Sequence, residues 1–398
     1  MLFKKDEIKH LWPFYLYSLI FGLCFMIMPF MIIYLRDIGF TFFQISILMF
    51  SYGLCTLIFE IPTGALADSF SRKYSVLIGF IITGVAAMFI PLFETFYTSI
   101  FGWSLAAIGI TFTSGAEEAW IIDNLNHLKR KDLHHEYFIK GASISALGMI
   151  ISPVLGSIIT KTYPIKILWY FFGLGFFLSA IILGFFAPEH YKPKKENMFH
   201  ALKKSLINAK EGFNFVRNHN TVFLLIFGYV ISYLMFMGKE GWTPLLVTLG
   251  LQEHSLGYLY AISAFFMMII PFLSRYFTKF KVKYVVSVTI LIQMIFGFMI
   301  LFVTSKNYVF GLLIFTILNV LPHFNTPLLK TYFHKFVPKK TRATVSSIEN
   351  MAFQFVGSVF ALVAGYLMDL YGPQKVIGWT SLLGVFSIMI YLKIKDEK

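Results

Sequence analysis

Charge is what this chain has least of. Of its 398 residues only 14% are charged, 20 Asp or Glu and 34 Lys or Arg, against 57% hydrophobic and a mean hydropathy of +0.72. A water-soluble domain needs polar surface, and a chain of this length cannot hide so much apolar side chain in one core, so a soluble protein is excluded. Cysteine is nearly absent. Cys24 and Cys55 both fall inside apolar runs, which implies neither a disulfide framework nor a metal cluster. The short signatures of ATP-driven pumps and of common hydrolases are missing too: there is no G-x-x-x-x-G-K-[ST], no H-E-x-x-H and no G-x-S-x-G. His134-His135-Glu136 has no further ligands at metal spacing and reads as solvated surface. The expectation is therefore a protein without cofactor or metal, and not an enzyme.

What the chain does have is hydrocarbon in bilayer-spanning lengths. About 20 apolar residues cross roughly 30 Å of hydrocarbon. On that ruler twelve spans are expected, at 13–34, 43–66, 74–93, 97–122, 141–160, 166–187, 221–247, 255–275, 283–303, 308–329, 343–367 and 375–393. The 47 Phe and 21 Tyr suit lipid-facing and interfacial positions. Lys4, Lys5 and Lys9 before an apolar run resemble the start of a signal peptide, but Pro13 to Tyr34 is too long and lacks a small-residue cleavage site. That run is read as the first span.

The net charge of +14 would suggest a nucleic-acid partner if the charge were spread evenly. It is not: alternate inter-span loops and the two termini hold 28 of the 34 Lys and Arg, leaving Arg36, Lys161, Lys166, Lys239, Lys306 and Lys375 for the others. This positive-inside pattern predicts a multi-pass protein of the plasma (inner) membrane with both termini cytoplasmic, and no nucleic-acid partner. One long connection, 188–220, is basic and turns amphipathic, with Phe199, Leu202, Leu206, Phe213 and Val216 opposite Lys203, Lys204, Lys210 and Arg217. It reads as a surface helix at the lipid headgroups, joining an N-terminal six-helix bundle, 1–187, to a C-terminal one, 221–398. The halves look like repeats: Lys140-Gly-Ala-Ser-Ile-Ser opens the fifth span, and Arg342-Ala-Thr-Val-Ser-Ser opens the eleventh, 202 positions on.

Residues 59–73, FEIPTGALADSFSRK, form a polar hinge in which an apolar helix runs through Pro62 and is expected to break at Gly64. The stretch resembles the signature loop of major facilitator superfamily transporters, G-x-L-a-D-r-x-G-r-k. Gly64, Leu66, Asp68, Arg72 and Lys73 match, while Ser69 and Ser71 replace the usual Arg and Gly. RYFTKFKVK at 275–283 stands where a second copy belongs and keeps only its basic charge. The resemblance, closest to the drug/proton antiporter-like 12-helix members, implies an all-α membrane protein. Its twelve transmembrane helices would form two pseudo-symmetric six-helix bundles around a central cavity, working as a monomer by alternating access. It further implies that Arg72 pairs with Asp123, and that Asp68 meets the start of the eleventh helix near Arg342, so that Gly64, Asp68, Arg72, Lys73, Asp123 and Arg342 act as a gate. Gly148, Ser152, Pro153 and Gly156 resemble the antiporter motif G-x-x-x-G-P-x-x-G-G, which in that family marks exporters. The Arg that usually precedes the fourth-helix Gly by four residues is Thr111 in this chain.

Charged groups inside a membrane helix cost several kcal/mol unless paired or facing water, which makes each a functional candidate. The fourth span carries Glu117 and Glu118, which point about 100° apart on a helix, so one is expected to face the cavity and the other a neighbouring helix. A desolvated carboxyl beside its twin suits a proton or a cation. In the tenth span His323, Asn325 and Thr326 lie between Pro322 and Pro327, where an interrupted helix offers backbone carbonyls to a cavity. Glu349 and Asn350 stand two turns into the eleventh span. Glu60 precedes the signature loop by one turn, Lys239-Glu240 and Arg36-Asp37 mark span ends, and the last pair reads as interfacial. The expected function is proton-coupled efflux of a small amphipathic or cationic compound. The alternatives are import of a polar metabolite or metal chelate, and a non-transporting sensor or scaffold.

Overall fold

The computed structural model describes residues 3–190, 210, 212–338 and 342–394, without the side chains of 342–344, 347, 350 and 351. The described residues are helical, with no strand among them. Twelve helices there are long and apolar enough to cross a membrane. They are α1 (Glu7–Asp37), α2 (Phe42–Ser69), α3 (Arg72–Phe93), α4 (Phe96–His127), α5 (Leu133–Thr160), α6 (Ile167–Phe186), α7 (Asn220–Thr248), α8 (Glu253–Phe277), α9 (Val282–Phe302), α10 (Ser305–Phe336), α11 (Arg342–Tyr371) and α12 (Pro373–Leu392). Most of the expected amphipathic connection, with Phe199, Leu202, Lys203, Lys204 and Leu206, lies outside the described residues. Within its described end Val216 is buried and Phe213 and Arg217 are exposed.

Two corrections concern helix continuity. α2 does not break at Gly64 but continues through Pro62 and Gly64 to Ser69. A proline removes one backbone donor, and membrane helices absorb that loss without ending. α4, expected as one rod, is two: Phe96–Thr113 and Ala116–His127. α1 is likewise interrupted, by a tight turn at Phe25–Ile27, and α7 by one at Lys239–Gly241.

The chain groups into two compact units, Met1–Tyr34 with Ser51–Ser205 and Leu35–Phe50 with Leu206–Lys398. In the first, α1 packs on α5 and α3 on α4 through glycine. A Cβ on Gly22 would strike the Ser145 carbonyl and stand 2.9 Å from Gly148 Cα; one on Gly79 would stand 2.6 Å from the Gly109 carbonyl. A Cβ on Gly156 would lie 2.7 Å from the Met26 carbonyl, and Ser152 and Pro153 are buried between these contacts. The antiporter-like residues thus serve as a close-packing seam, small side chains letting two backbones approach. Around Trp120, Phe14, Phe80 and Leu133, all at most 1% exposed, a core fills one end of this unit.

In the second unit the start of α2 seats against the end of α11. Thr41 and Gln44 form a reciprocal cap: the Gln44 side chain accepts from Thr41 N at 2.9 Å and the Thr41 hydroxyl accepts from Gln44 N at 3.1 Å. The two donors between them, Phe42 N and Phe43 N, go to the two carboxylate oxygens of Asp369 at 2.8 and 2.9 Å. Gly365, one turn earlier, leaves room for this approach: a Cβ there would sit 2.6 Å from the Phe42 carbonyl. Large apolar side chains such as Phe185, Tyr97, Phe302 and Phe272 stand exposed around both units, as a hydrocarbon solvent permits.

Candidate functional site

The interruption of α4 organises the polar groups of the first unit. Ser114 leaves the helix at φ −58°, ψ 121°, and Gly115 turns back at φ +69°. That left-handed geometry costs a residue with a Cβ about 1–2 kcal/mol, and glycine avoids it. The carbonyls at the end of the first half are met from neighbouring helices: Thr63 Oγ1 donates to Thr111 O at 3.0 Å and Ser75 Oγ to Phe112 O at 2.7 Å. Broken backbone at membrane depth is tolerated where it is satisfied in this way. The second half-helix then starts with Glu117 and Glu118 in its first turn, where the positive end of the helix dipole favours carboxylates.

The two acids part as their angular spacing requires. Glu117 points inward and accepts from Tyr17 Oη of α1 at 2.8 Å and Tyr137 Oη of α5 at 3.4 Å. Glu118 is exposed. Glu60 of α2, also exposed, accepts from Ser114 Oγ at the break itself, at 2.7 Å. Three carboxyls therefore surround one helix break, and none of them is in an ion pair among the described residues.

At the far end of the same half-helix the signature loop is a clamp. Arg72 donates to Asp123 at 2.5 Å and to Asp68 at 3.1 Å, with Asp68 two-thirds exposed. Lys73 Nζ donates to the carbonyls of Gly184 and Ala187 at 2.8 and 2.7 Å, covering the open end of α6. Glu189 accepts from Ser71 Oγ at 2.6 Å and Lys73 N at 3.0 Å, adding a carboxylate to the start of α3. The Pro188 carbonyl accepts from Trp120 and Asn124 at 2.8 and 2.7 Å, and the His190 ring stacks on His127 at 3.9 Å. Gly64 sits in open space on α2.

A second polar cluster lies at the start of α1. Glu7, with no exposed surface, accepts from Lys140 Nζ at 2.7 and 2.8 Å, Tyr15 Oη at 2.8 Å and Lys4 N at 2.7 Å. Glu136 bridges Lys4 and Lys140 at 3.1 and 2.9 Å. In the adjoining loop Arg130 holds Asp132 with two bonds and donates to the Lys5 carbonyl at 2.9 Å. That pairing keeps the Asp132 carboxyl below its ordinary range and raises the Arg130 guanidinium.

In the second unit Asn325 is buried and accepts from Thr289 Oγ1 at 2.8 Å, tying α10 to α9, while His323 is exposed. Lys239 lies 3.6 Å from Glu240 and donates to Tyr233 Oη at 2.9 Å. Arg36 donates to the Phe40 carbonyl at 2.7 Å and covers the Phe42 ring at 4.5 Å. Glu349 lines a cavity of about 220 Å³ between α7, α10 and α11, with Thr326 and Lys330. The side chains of Arg342 and Asn350 lie outside the described residues. The structure thus assembles Glu117 and Glu118 with Glu60, Asp68 and Asp123 with Arg72, and Glu349 with Lys330. Sequence reasoning did not find Tyr17, Tyr137, Glu7, Glu189, Lys330 or Asp369. A Pro-Glu directly after the sixth span was a usable signal for Glu189; the tyrosines carry none.

Twelve bilayer-length helices and a basic-acidic clamp after the second of them define a multi-pass membrane transporter. The chain belongs to the Major Facilitator Superfamily, whose family model matches residues 14–361. It is similar to YxaM, an MFS-type transporter of Bacillus subtilis (strain 168), at 22% identity over 96% of each chain. Its fold is that of the solved nucleoside transporter NupG, in a single-substitution variant, with a TM-score of 0.77 at 13% identity over 96% of this chain and 99% of that one. It is also that of a bacterial homologue of the human lysosomal transporter Spinster, inward-facing and unoccupied, with a TM-score of 0.73 at 16% identity over 99% of each chain. The all-α twelve-helix fold expected from sequence is the observed one.

Proposed function

We propose that this transporter is a proton-coupled exporter of a small amphipathic or cationic compound, working by alternating access in the plasma (inner) membrane with both termini cytoplasmic. The observation that carries the reading is the carboxyl cluster at the α4 break, Glu60, Glu117 and Glu118, with no cation paired to it among the described residues. A carboxyl that is exposed at membrane depth and lacks a fixed counter-charge is suited to take up a proton or a positively charged group in turn. Glu118 is assigned the exchangeable role. Glu117 holds α1, α4 and α5 together through its tyrosines and positions its neighbour. The efflux direction draws on the antiporter-like seam Gly148, Ser152, Pro153 and Gly156, and the Asp68–Arg72–Asp123 clamp is assigned the gate. A proton and a small-molecule substrate are then the partners, with the bilayer as solvent.

The test is transport in everted membrane vesicles, following a pH-gradient-driven cationic dye and its dependence on external pH. Glu118→Gln is expected to abolish uptake driven by the gradient while leaving exchange of dye for dye intact. Glu117→Gln is expected to lower folded yield before it alters coupling. Unchanged rate and pH profile in the Glu117→Gln, Glu118→Gln double variant would sink the proposal.

A further inference from the structure

The cavity of the second unit has a chemistry of its own. Lys330 on α10 and Glu349 on α11 line it with one charge of each sign, and no ion pair joins them. Leu225 and Phe333 give it an apolar wall, and Tyr229 and Ser346 add hydroxyls. Lys330 is exposed and Glu349 half-buried, and opposite charges lining one cavity attract each other. Here a space of about 220 Å³ lies beside both.

The solute that fits such a wall can be worked out by elimination. A simple cation meets Lys330, and a simple anion meets Glu349, so each is repelled by one side. A molecule carrying both a carboxylate and an ammonium replaces the separated pair with two charge-assisted hydrogen bonds. Its remaining atoms face Leu225, Phe333 and the Tyr229 ring, which favours hydrocarbon. Size sets the scale: an apolar cavity of about 150 Å³ takes up benzene, so this one accommodates a solute of roughly nine heavy atoms.

We propose that the cavity between α7, α10 and α11 binds a small zwitterion with an apolar tail, of the α-amino-acid type, its carboxylate on Lys330 and its ammonium on Glu349. This rests on the reading of the chain as a carrier of small amphipathic solutes and names their class. It also gives the second unit a solute site that the carboxyls of the first unit do not supply.

The experiment measures binding to the purified full chain in detergent, by calorimetry and by thermal shift of the tryptophan fluorescence. The probes are L-leucine and L-valine, with isoamylamine (leucine without its carboxylate) and isocaproate (leucine without its ammonium) as controls. An amino acid is expected to bind, and each single-charge control to bind about ten-fold more weakly or worse. Lys330→Gln should erase the preference over isoamylamine, and Glu349→Gln the preference over isocaproate. The exchange variant Lys330→Glu, Glu349→Lys should recover binding, with unliganded melting temperatures reporting that each variant folds. No binding of either amino acid, or equal binding of the single-charge controls, overturns the proposal. The two readings separate cleanly: amino-acid binding with no pH-driven flux leaves this site standing without the exporter, and dye export with no amino-acid binding does the reverse.

Discussion

Replacing Asp369 with alanine removes two of the four hydrogen bonds that finish the first turn of α2. A helix leaves its first donors without intrahelical acceptors. Here Thr41 N and Gln44 N satisfy each other's side chains, and Phe42 N and Phe43 N depend on Asp369. The Phe43 bond is exposed, so water replaces it at little net cost, whereas the Phe42 bond is partly buried. A hydrogen bond to a charged group contributes about 1.5–3 kcal/mol, so the loss should total about 2 kcal/mol. That corresponds to a roughly 30-fold larger opening equilibrium for the first turn of α2. Asp369→Asn keeps one acceptor oxygen and should lose about 1 kcal/mol, roughly five-fold. Hydrogen–deuterium exchange of peptides covering residues 41–48, read by mass spectrometry on the detergent-purified chain, measures both. Exchange in the alanine variant equal to that of the unaltered protein would refute the reasoning, as would an asparagine variant that opens as readily as alanine.

Three further outcomes are expected. Glu7→Gln removes one of the two carboxylates on Lys140, leaving it Glu136, and should cost about 1.5–3 kcal/mol, seen as a lowered melting temperature. Gly22→Val should prevent a monodisperse folded peak in size-exclusion chromatography, because the added atoms meet the backbone of α5, while Gly64→Ala, in open space, should fold normally. His190 is pushed below the ordinary histidine value, first by burial and then by the neighbouring His127 ring. Its docked form is therefore the neutral one: docking is at full strength above a pH of about 6.5 and weakens as the pH falls below that. Limited proteolysis after His190 across pH 5–8 checks this, and constant cleavage over that range would contradict it.

The spans were legible because length and hydrophobicity are properties of a contiguous stretch, and the bilayer thickness fixes the scale. Asp68, Arg72 and Lys73 of the clamp were legible because they sit in one short segment, whereas Asp123, 51 positions from Arg72, came only from the family resemblance. Residues that act across the fold were not. Tyr17 meets Glu117 from 100 positions away, and no local pattern distinguishes it from the other tyrosines. Lys330 fell among the basic residues of a loop, whereas α10 continues to Phe336 and carries it into the unit. The continuity of α2 through Gly64 and the interruption of α4 at Gly115 show why glycine alone misleads. In the first, glycine takes helical angles, and in the second, left-handed ones. The difference depends on hydroxyls from Thr63 and Ser75, which wait on other helices for the carbonyls that the break exposes.

Gly115 invites a question of chirality. A Cβ built there meets nothing within 4 Å, so the position has room for a larger residue. What bars one is handedness: at φ +69° an L-amino acid is strained. L-alanine at 115 would therefore press the two halves of α4 toward a single rod and carry Glu117 and Glu118 away from their places.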